Sequence, residues 1–259
     1  VRVSHARLVD DVLPYMPFGW HEVDAMGMKQ TFSLIAPRRR ALSGEASTYR
    51  LFDQNAEIKQ TPMLRDALEE LGSRMQIYVA EMAEERVFLH AGVVGWKEQA
   101  IVLPGRSYAG KTTLVRELVR AGATYYSDEY AVLDREGFVH PFARPLGIRV
   151  NGLNQEKHHV ETLGGRAGTD LAPVGLVVLT QYRARARWRP ERLSRGQALL
   201  EVLNHAIPAR RRPATVMETL ERVVACALVV RSPRGEGRTI VPRILSLMED
   251  YGDPSGTVS

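Results

Sequence analysis

Residues Gly105-Arg106-Ser107-Tyr108-Ala109-Gly110-Lys111-Thr112 have the types and spacing G-x-x-x-x-G-K-[ST], and the chemistry of that pattern is phosphate binding. Glycines let backbone N–H groups close around phosphate oxygens, and a helix that starts at the loop adds partial positive charge. In that arrangement Lys111 reaches the β- and γ-phosphates of ATP, the Thr112 hydroxyl ligates Mg²⁺, and Thr113 completes the nucleotide-binding set. The plain alternative is a glycine-rich turn that contains Lys-Thr. A second chemical signal is the pair Asp128-Glu129. Adjacent carboxylates can divide labour, one accepting the proton of an attacking hydroxyl and the other helping to hold metal. Each raises the other's pKa, while Mg²⁺ and Lys111 lower it. The alternative here is an acidic turn with no catalytic task.

The elements around these residues suit that reading. Residues 100–104 are an apolar run of strand length, and 113–121 carry apolar residues at helical spacing before Gly122. Residues 124–126 read as the next strand, so Asp128 and Glu129 fall at its C-terminal end, where open parallel sheets place ligands. Ahead of the loop, 87–94 and 99–103 read as a hairpin turned near Gly95-Trp96-Lys97, with His90 on its first strand. A histidine on an apolar strand reads first as a core residue. Thr61-Pro62 opens a helix striped by Leu64, Leu68, Leu71, Met75, Tyr78, Val79 and Met82, expected to pack on the sheet that follows. Residues 151–173, rich in glycine and polar side chains, read as a mobile loop over the site. Beyond it come a buried strand at 174–180, helices at 193–207 and 214–226, a strand at 228–231 and a helix at 240–247. Arg183, Arg185, Arg187 and Arg189 surround Trp188 and read as a solvated face or as a clamp for nucleotide or acidic substrate. Arg234 and Glu236 are similar candidates.

The chain of 259 residues has room for one large α/β domain with a small appendage. Residues 1–60 form the appendage in this reading, a β-rich N-terminal lobe, and 61–259 the phosphate-loop catalytic domain. Within the lobe, strands are expected at 31–35 and 48–52, irregular structure over 9–20, and an exposed turn at Arg38-Arg39-Arg40. Apolar content of 44% and charged content of 25% are those of a soluble globular protein. The net charge of +5 comes mostly from arginine, since lysine occurs only at 29, 59, 97, 111 and 157. No basic stretch interleaves with aromatics, so nucleic acid is not an expected partner. No apolar run approaches a membrane span and no secretory leader is evident. Cys226 is the single cysteine, reads as a small core residue, and fits the reducing cytoplasm.

Taken together, Leu89-His90-Ala91, Gly105 to Thr112, Ala121-Gly122-Ala123 and Ser127-Asp128-Glu129 resemble the C-terminal catalytic domain of HPr kinase/phosphorylase. The resemblance covers about residues 85–150 well and extends to HPr-kinase-like bacterial proteins, including kinases of modified-peptide pathways. It implies an α/β P-loop kinase of the HPr kinase type that uses ATP and Mg²⁺. Asp128 would be the base that activates a serine hydroxyl, and His90 would sit near the phosphates. Arg149 resembles the arginine of the family's E-[IV]-R-G stretch and would serve substrate or phosphate. The sequence departs from the family in three places. The acidic pair is Asp-Glu rather than Asp-Asp, Gly147 stands where the family has a glutamate, and Val150-Asn151-Gly152 replaces a glycine-rich stretch. The departures point away from HPr as substrate and from a phosphate-driven reverse reaction. The expected acceptor is a hydroxyl on a peptide, protein or small molecule, with assembly into a homo-oligomer left open. A reading from another class is a catalytically silent nucleotide-binding regulatory module. A GTPase is not expected, because no N-K-x-D stretch is present.

Overall fold

A computed structural model describes residues 1–17, 19–23, 29–37, 47–105, 109–150 and 154–252, with backbone alone for 148–150, 154–157 and 250–252. The architecture is mixed α/β, and the chain divides into two compact units, Val1–Met82 and Ala83–Ser259. The break between these units falls after the long helix.

The first unit contains β1 (Arg2–Val3), α1 (Leu8–Val12), β2 (Phe32–Ile35), β3 (Tyr49–Asp53), β4 (Ala56–Thr61) and α2 (Leu64–Met82). Its four strands pair in chain order. Residues 9–20, expected to be irregular, include most of α1 and a 3-10 turn at Leu13–Tyr15. The helical stripe of α2, expected to serve the sheet that follows, buries Leu68, Leu71 and Met75 with Phe32, Leu34 and Leu51 of this same unit. Periodicity identifies which face of a helix is apolar, but not which sheet receives it. Gly72 interrupts the stripe because the Tyr15 carbonyl lies 3.3 Å from where its Cβ would be. The arginine triplet 38–40 lies outside the described residues.

The second unit runs β5 (Val87–Trp96), β6 (Gln99–Pro104), α3 (Lys111–Arg120), β7 (Thr124–Ser127), β8 (Tyr130–Leu133), β9 (Phe138–His140), β10 (Leu146–Val150), β11 (Asn154–His158), β12 (Ala172–Tyr182), β13 (Glu191–Arg192), α4 (Arg195–Leu203), α5 (Pro213–Cys226), β14 (Leu228–Arg234) and α6 (Gly237–Gly252). Its main sheet is ordered β13-β14-β12-β6-β5-β8-β9, with β7 also on β5 and β9 returning to pair with β12. Alternation along the strands sends side chains to two cores. Ala100 and Val102 of β6 and Val177 and Leu179 of β12 join the α4–α5 side with Val202, Leu220 and Val223. Ile101, Leu103, Leu176 and Val178 join the α3–α6 side with Leu114, Leu118, Ile240 and Ile244.

Part of the stretch 151–173, read as a loop, lies in β11, which pairs antiparallel with β10, and in a 3-10 turn at Val160–Leu163. Two of its glycines serve packing: a Cβ at Gly165 would meet Val119 and Val160, one at Gly168 would meet the Tyr126 ring, and Tyr125 exchanges backbone hydrogen bonds with Arg166 and Gly168 at 2.8 and 2.7 Å. Cys226, the last residue of α5, is exposed rather than in the core. Among the described residues, no helix is long and apolar enough to cross a membrane.

Candidate functional site

The loop that follows β6 ends at Gly110, the N-cap of α3, with φ of +81°. That left-handed conformation is open to glycine at little strain and unfavourable for other residues. It turns the chain so that Lys111 and Thr112 occupy the first turn of α3, the end of a helix whose N–H groups and dipole suit an anion. The Gly110 carbonyl accepts both Leu114 N–H at 3.1 Å and Arg234 Nη2 at 2.8 Å. Lys111 Nζ donates to the Gly105 carbonyl at 2.7 Å, spanning the loop it belongs to. Burial holds the Lys111 ammonium below the usual lysine pKa, opposed by the charges of Asp128 and Glu129. Arg106, Ser107 and Tyr108 lie outside the described residues.

Antiparallel pairing of β5 with both β6 and β7 makes β7 run in the direction of β6. Its end therefore lies at the same sheet edge as the loop. There Ser127 Oγ accepts the backbone N–H groups of Glu129 and Tyr130 at 3.2 and 3.0 Å, closing a tight turn that carries the acidic pair. Thr112 Oγ1 donates to Asp128 Oδ2 at 3.0 Å. The Tyr125 hydroxyl is 3.0 Å from Asp128 Oδ1 and 2.8 Å from the Arg144 carbonyl. Burial raises the Asp128 pKa, while hydrogen bonds from Thr112, Tyr125 and the Gly147 backbone N–H pull it down. The net direction is upward.

This arrangement accommodates both protonation states. An ionised Asp128 accepts from Thr112, Tyr125 and Gly147. A protonated one can donate through Oδ1 to the Tyr125 oxygen, with Tyr125 then donating to the Arg144 carbonyl. Glu129 points elsewhere: its Oε2 is 3.9 Å from Arg144 Nη1, and its side chain is 45% exposed. Its pKa is raised by burial and lowered most by Arg144.

His90 ties the site together through its backbone. Its N–H donates to the His205 carbonyl at 2.8 Å, and its carbonyl accepts the N–H of Gly105 at 3.1 Å. The ring stacks at a tilt on Tyr130, centroids 5.3 Å apart, and its Nδ1 is buried without a partner. Burial and then the Lys111 charge lower its pKa, so the ring is neutral near neutral pH.

The structure thus gathers Gly105, Gly110, Lys111, Thr112, Asp128 and His90 at one edge of the sheet. Arg149 lies on β10 opposite Gln155, and its side chain is outside what is described. Tyr125, Arg144 and the Gly147 amide were not expected from sequence. Tyr125 and Tyr126 are consecutive on a strand and face opposite ways, but sequence does not say which faces the acid. Gly147 acts through its backbone, which a comparison of side chains passes over.

No group of three or more His, Cys, Asp or Glu residues among those described could hold a metal ion. One hydroxyl beside one carboxylate nonetheless fits Mg²⁺, which is commonly held by one or two protein oxygens together with substrate phosphates.

No family model matches the sequence, and no curated protein matches it. Among solved structures, the chain is similar to the Hpr(Ser) kinase/phosphatase from Coxiella burnetii, at 12% identity and a TM-score of 0.38. The match covers 64% of this chain and 90% of that one. The likeness is distant.

Proposed function

We propose that this protein is an ATP-dependent kinase that transfers the γ-phosphoryl group to a serine-type hydroxyl on a peptide, protein or small molecule. The observation that carries the reading is the bond between Thr112 and Asp128, which joins the first turn after the phosphate loop to a half-buried carboxylate able to gain and lose a proton. The N-terminal amides of α3 and Lys111 bind the phosphates and stabilise charge as it develops on them. Asp128 accepts the proton of the acceptor hydroxyl while that oxygen forms its bond to the γ-phosphorus. The bond from the γ-phosphorus to the bridging oxygen breaks, and the electron pair leaves with ADP. Mg²⁺, when bound, neutralises charge on the β- and γ-oxygens, and Thr112 and Asp128 are the residues that would hold it. Glu129, held toward Arg144, is the weaker candidate ligand.

The test is γ-radiolabelled ATP with a panel of serine-bearing acceptors, comparing the parent with Asp128→Asn and Lys111→Ala. Transfer is expected to fall by about 10²–10⁴-fold in Asp128→Asn, the range for loss of a general base. MgATP binding is expected to fail in Lys111→Ala. If Asp128→Asn transfers normally, the base is wrongly assigned. Tight MgATP binding with no transfer to any acceptor would replace the kinase with a nucleotide-binding module.

A further inference from the structure

Arg234, the last residue of β14, is buried to 1% exposure, yet among the described residues it forms no ion pair. Its Nη2 donates to the Gly110 carbonyl at 2.8 Å and its Nη1 to the Gly235 carbonyl at 3.1 Å, while its Nε is buried without a partner. The guanidinium carbon lies 5.6 Å from the centre of the Tyr182 ring. The nearby carboxylate, Glu236, is exposed and takes the Tyr182 hydroxyl at 2.7 Å instead. Enclosing a cation without a directly paired anion is unfavourable, and burial lowers the Arg234 pKa, opposed only in part by the charge of Glu236. The arginine and the loop are fitted to each other. A Cβ at Gly110 would lie 2.5 Å from Nη2, so the guanidinium fills the space that any side chain at 110 would need.

We propose that Arg234 is a positioning residue for the phosphate loop, fixing the Gly110–Lys111 junction and holding an incompletely compensated positive charge that a bound triphosphate neutralises. The proposal rests on the nucleotide-site reading of the loop. It assigns the missing anionic partner to the ligand: two carbonyls and a ring hold the guanidinium in place without cancelling its charge. An arginine suits the role better than a lysine, because its planar fork can hold the Gly110 and Gly235 carbonyls at once.

The experiment is calorimetric titration of the full chain with MgATP and, separately, with inorganic tripolyphosphate, for the parent, Arg234→Met, Arg234→Lys and Lys111→Ala. Thermal melts of the ligand-free proteins accompany it. Arg234→Met is expected to weaken both ligands by roughly 10- to 100-fold, the scale of a lost hydrogen-bonded charge. Its ligand-free melting temperature is expected to stay level or rise, because an apolar side chain replaces a buried cation that has no ion pair among the described residues. Arg234→Lys should recover part of the affinity. Unchanged tripolyphosphate affinity in Arg234→Met overturns the proposal, as does a fall in melting temperature with no loss of affinity. If Arg234→Met does not fold, parental tripolyphosphate affinity in Arg234→Lys overturns it. A parent that binds neither ligand removes the nucleotide reading and the proposal with it, whereas a parent that binds both, with only Lys111→Ala impaired, removes the proposal alone.

Discussion

Replacing Asp128 by asparagine should make the ligand-free protein more stable at neutral pH while disabling transfer. Asparagine reproduces the protonated carboxyl: Nδ2 can donate to the Tyr125 oxygen, and Oδ1 can accept from Thr112 and the Gly147 amide. No buried polar group loses its partner, so the hydrogen bonds nearly cancel between the two proteins. The charge does not cancel. Burial raises the native Asp128 pKa above its ordinary value of 3.8, so the native state binds more protons than the unfolded chain between those two values. Parent stability therefore falls as pH rises through that window and levels off above the native pKa. For every pH unit that the window spans, the parent loses about 1.4 kcal/mol. For a protein of this size, 1 kcal/mol moves the melting temperature by roughly 2–4 °C. Melts of both proteins at pH 4, 5, 6, 7 and 8, without nucleotide or metal, follow the difference from the ordinary carboxylate value upward. The asparagine variant should gain on the parent as pH rises and then hold its lead. A difference that does not change with pH, or that turns toward the parent at high pH, would refute the raised pKa and with it the argument for a base poised to take a proton.

The other expectations concern the residues on either side of Lys111. Gly110→Ala places a Cβ at a φ of +81° and against Arg234, and should lower stability by at least about 1–2 kcal/mol, the strain of the left-handed region alone. In a cycle with Arg234→Met the steric part disappears and the strain remains, so the double variant should be more stable than the sum of the singles implies; strict additivity in chemical denaturation would show that the two residues do not meet. His90 has the opposite pH sign to Asp128. Its native pKa lies below the ordinary 6.5, so the stability it supports is complete above 6.5 and is lost as pH falls toward the native value. His90→Gln should lose less melting temperature than the parent between pH 7 and 5.5, and an unchanged slope would place the neutral histidine elsewhere.

The parts of the site legible in sequence are those whose residue types are themselves chemical. Two glycines, a lysine and a threonine at fixed spacing mark the phosphate loop, and Asp128 stands out one strand later. The strands of the main sheet are legible too, because runs such as 174–180 are apolar on both faces. What stays hidden depends on contacts distant in sequence or on the backbone. Arg234 and Gly110 are 124 residues apart, and nothing local to either announces the other. Gly147 supports Asp128 with an amide that every residue except proline possesses. The strand β4 is hard to see because Glu57, Lys59 and Gln60 leave it few apolar positions. The stripe of α2 marks a helix but points to no particular sheet, since an apolar face specifies burial and not a partner.

The strand β5 acts as a ruler with fixed divisions. Its first four residues pair with β8, from Val87 opposite Leu133 to His90 opposite Tyr130, and the next six pair with β6, from Ala91 opposite Pro104 to Trp96 opposite Gln99. His90 is the graduation mark where one ladder hands over to the other, and its carbonyl is the one that receives Gly105. Inserting or deleting a single residue within this strand would rotate every following side chain to the opposite core and move that mark away from the loop. Drift in length during descent can thus be absorbed at the Lys97-Glu98 turn but not between His90 and Trp96. The number of residues in that interval is as much a part of the site as their identities.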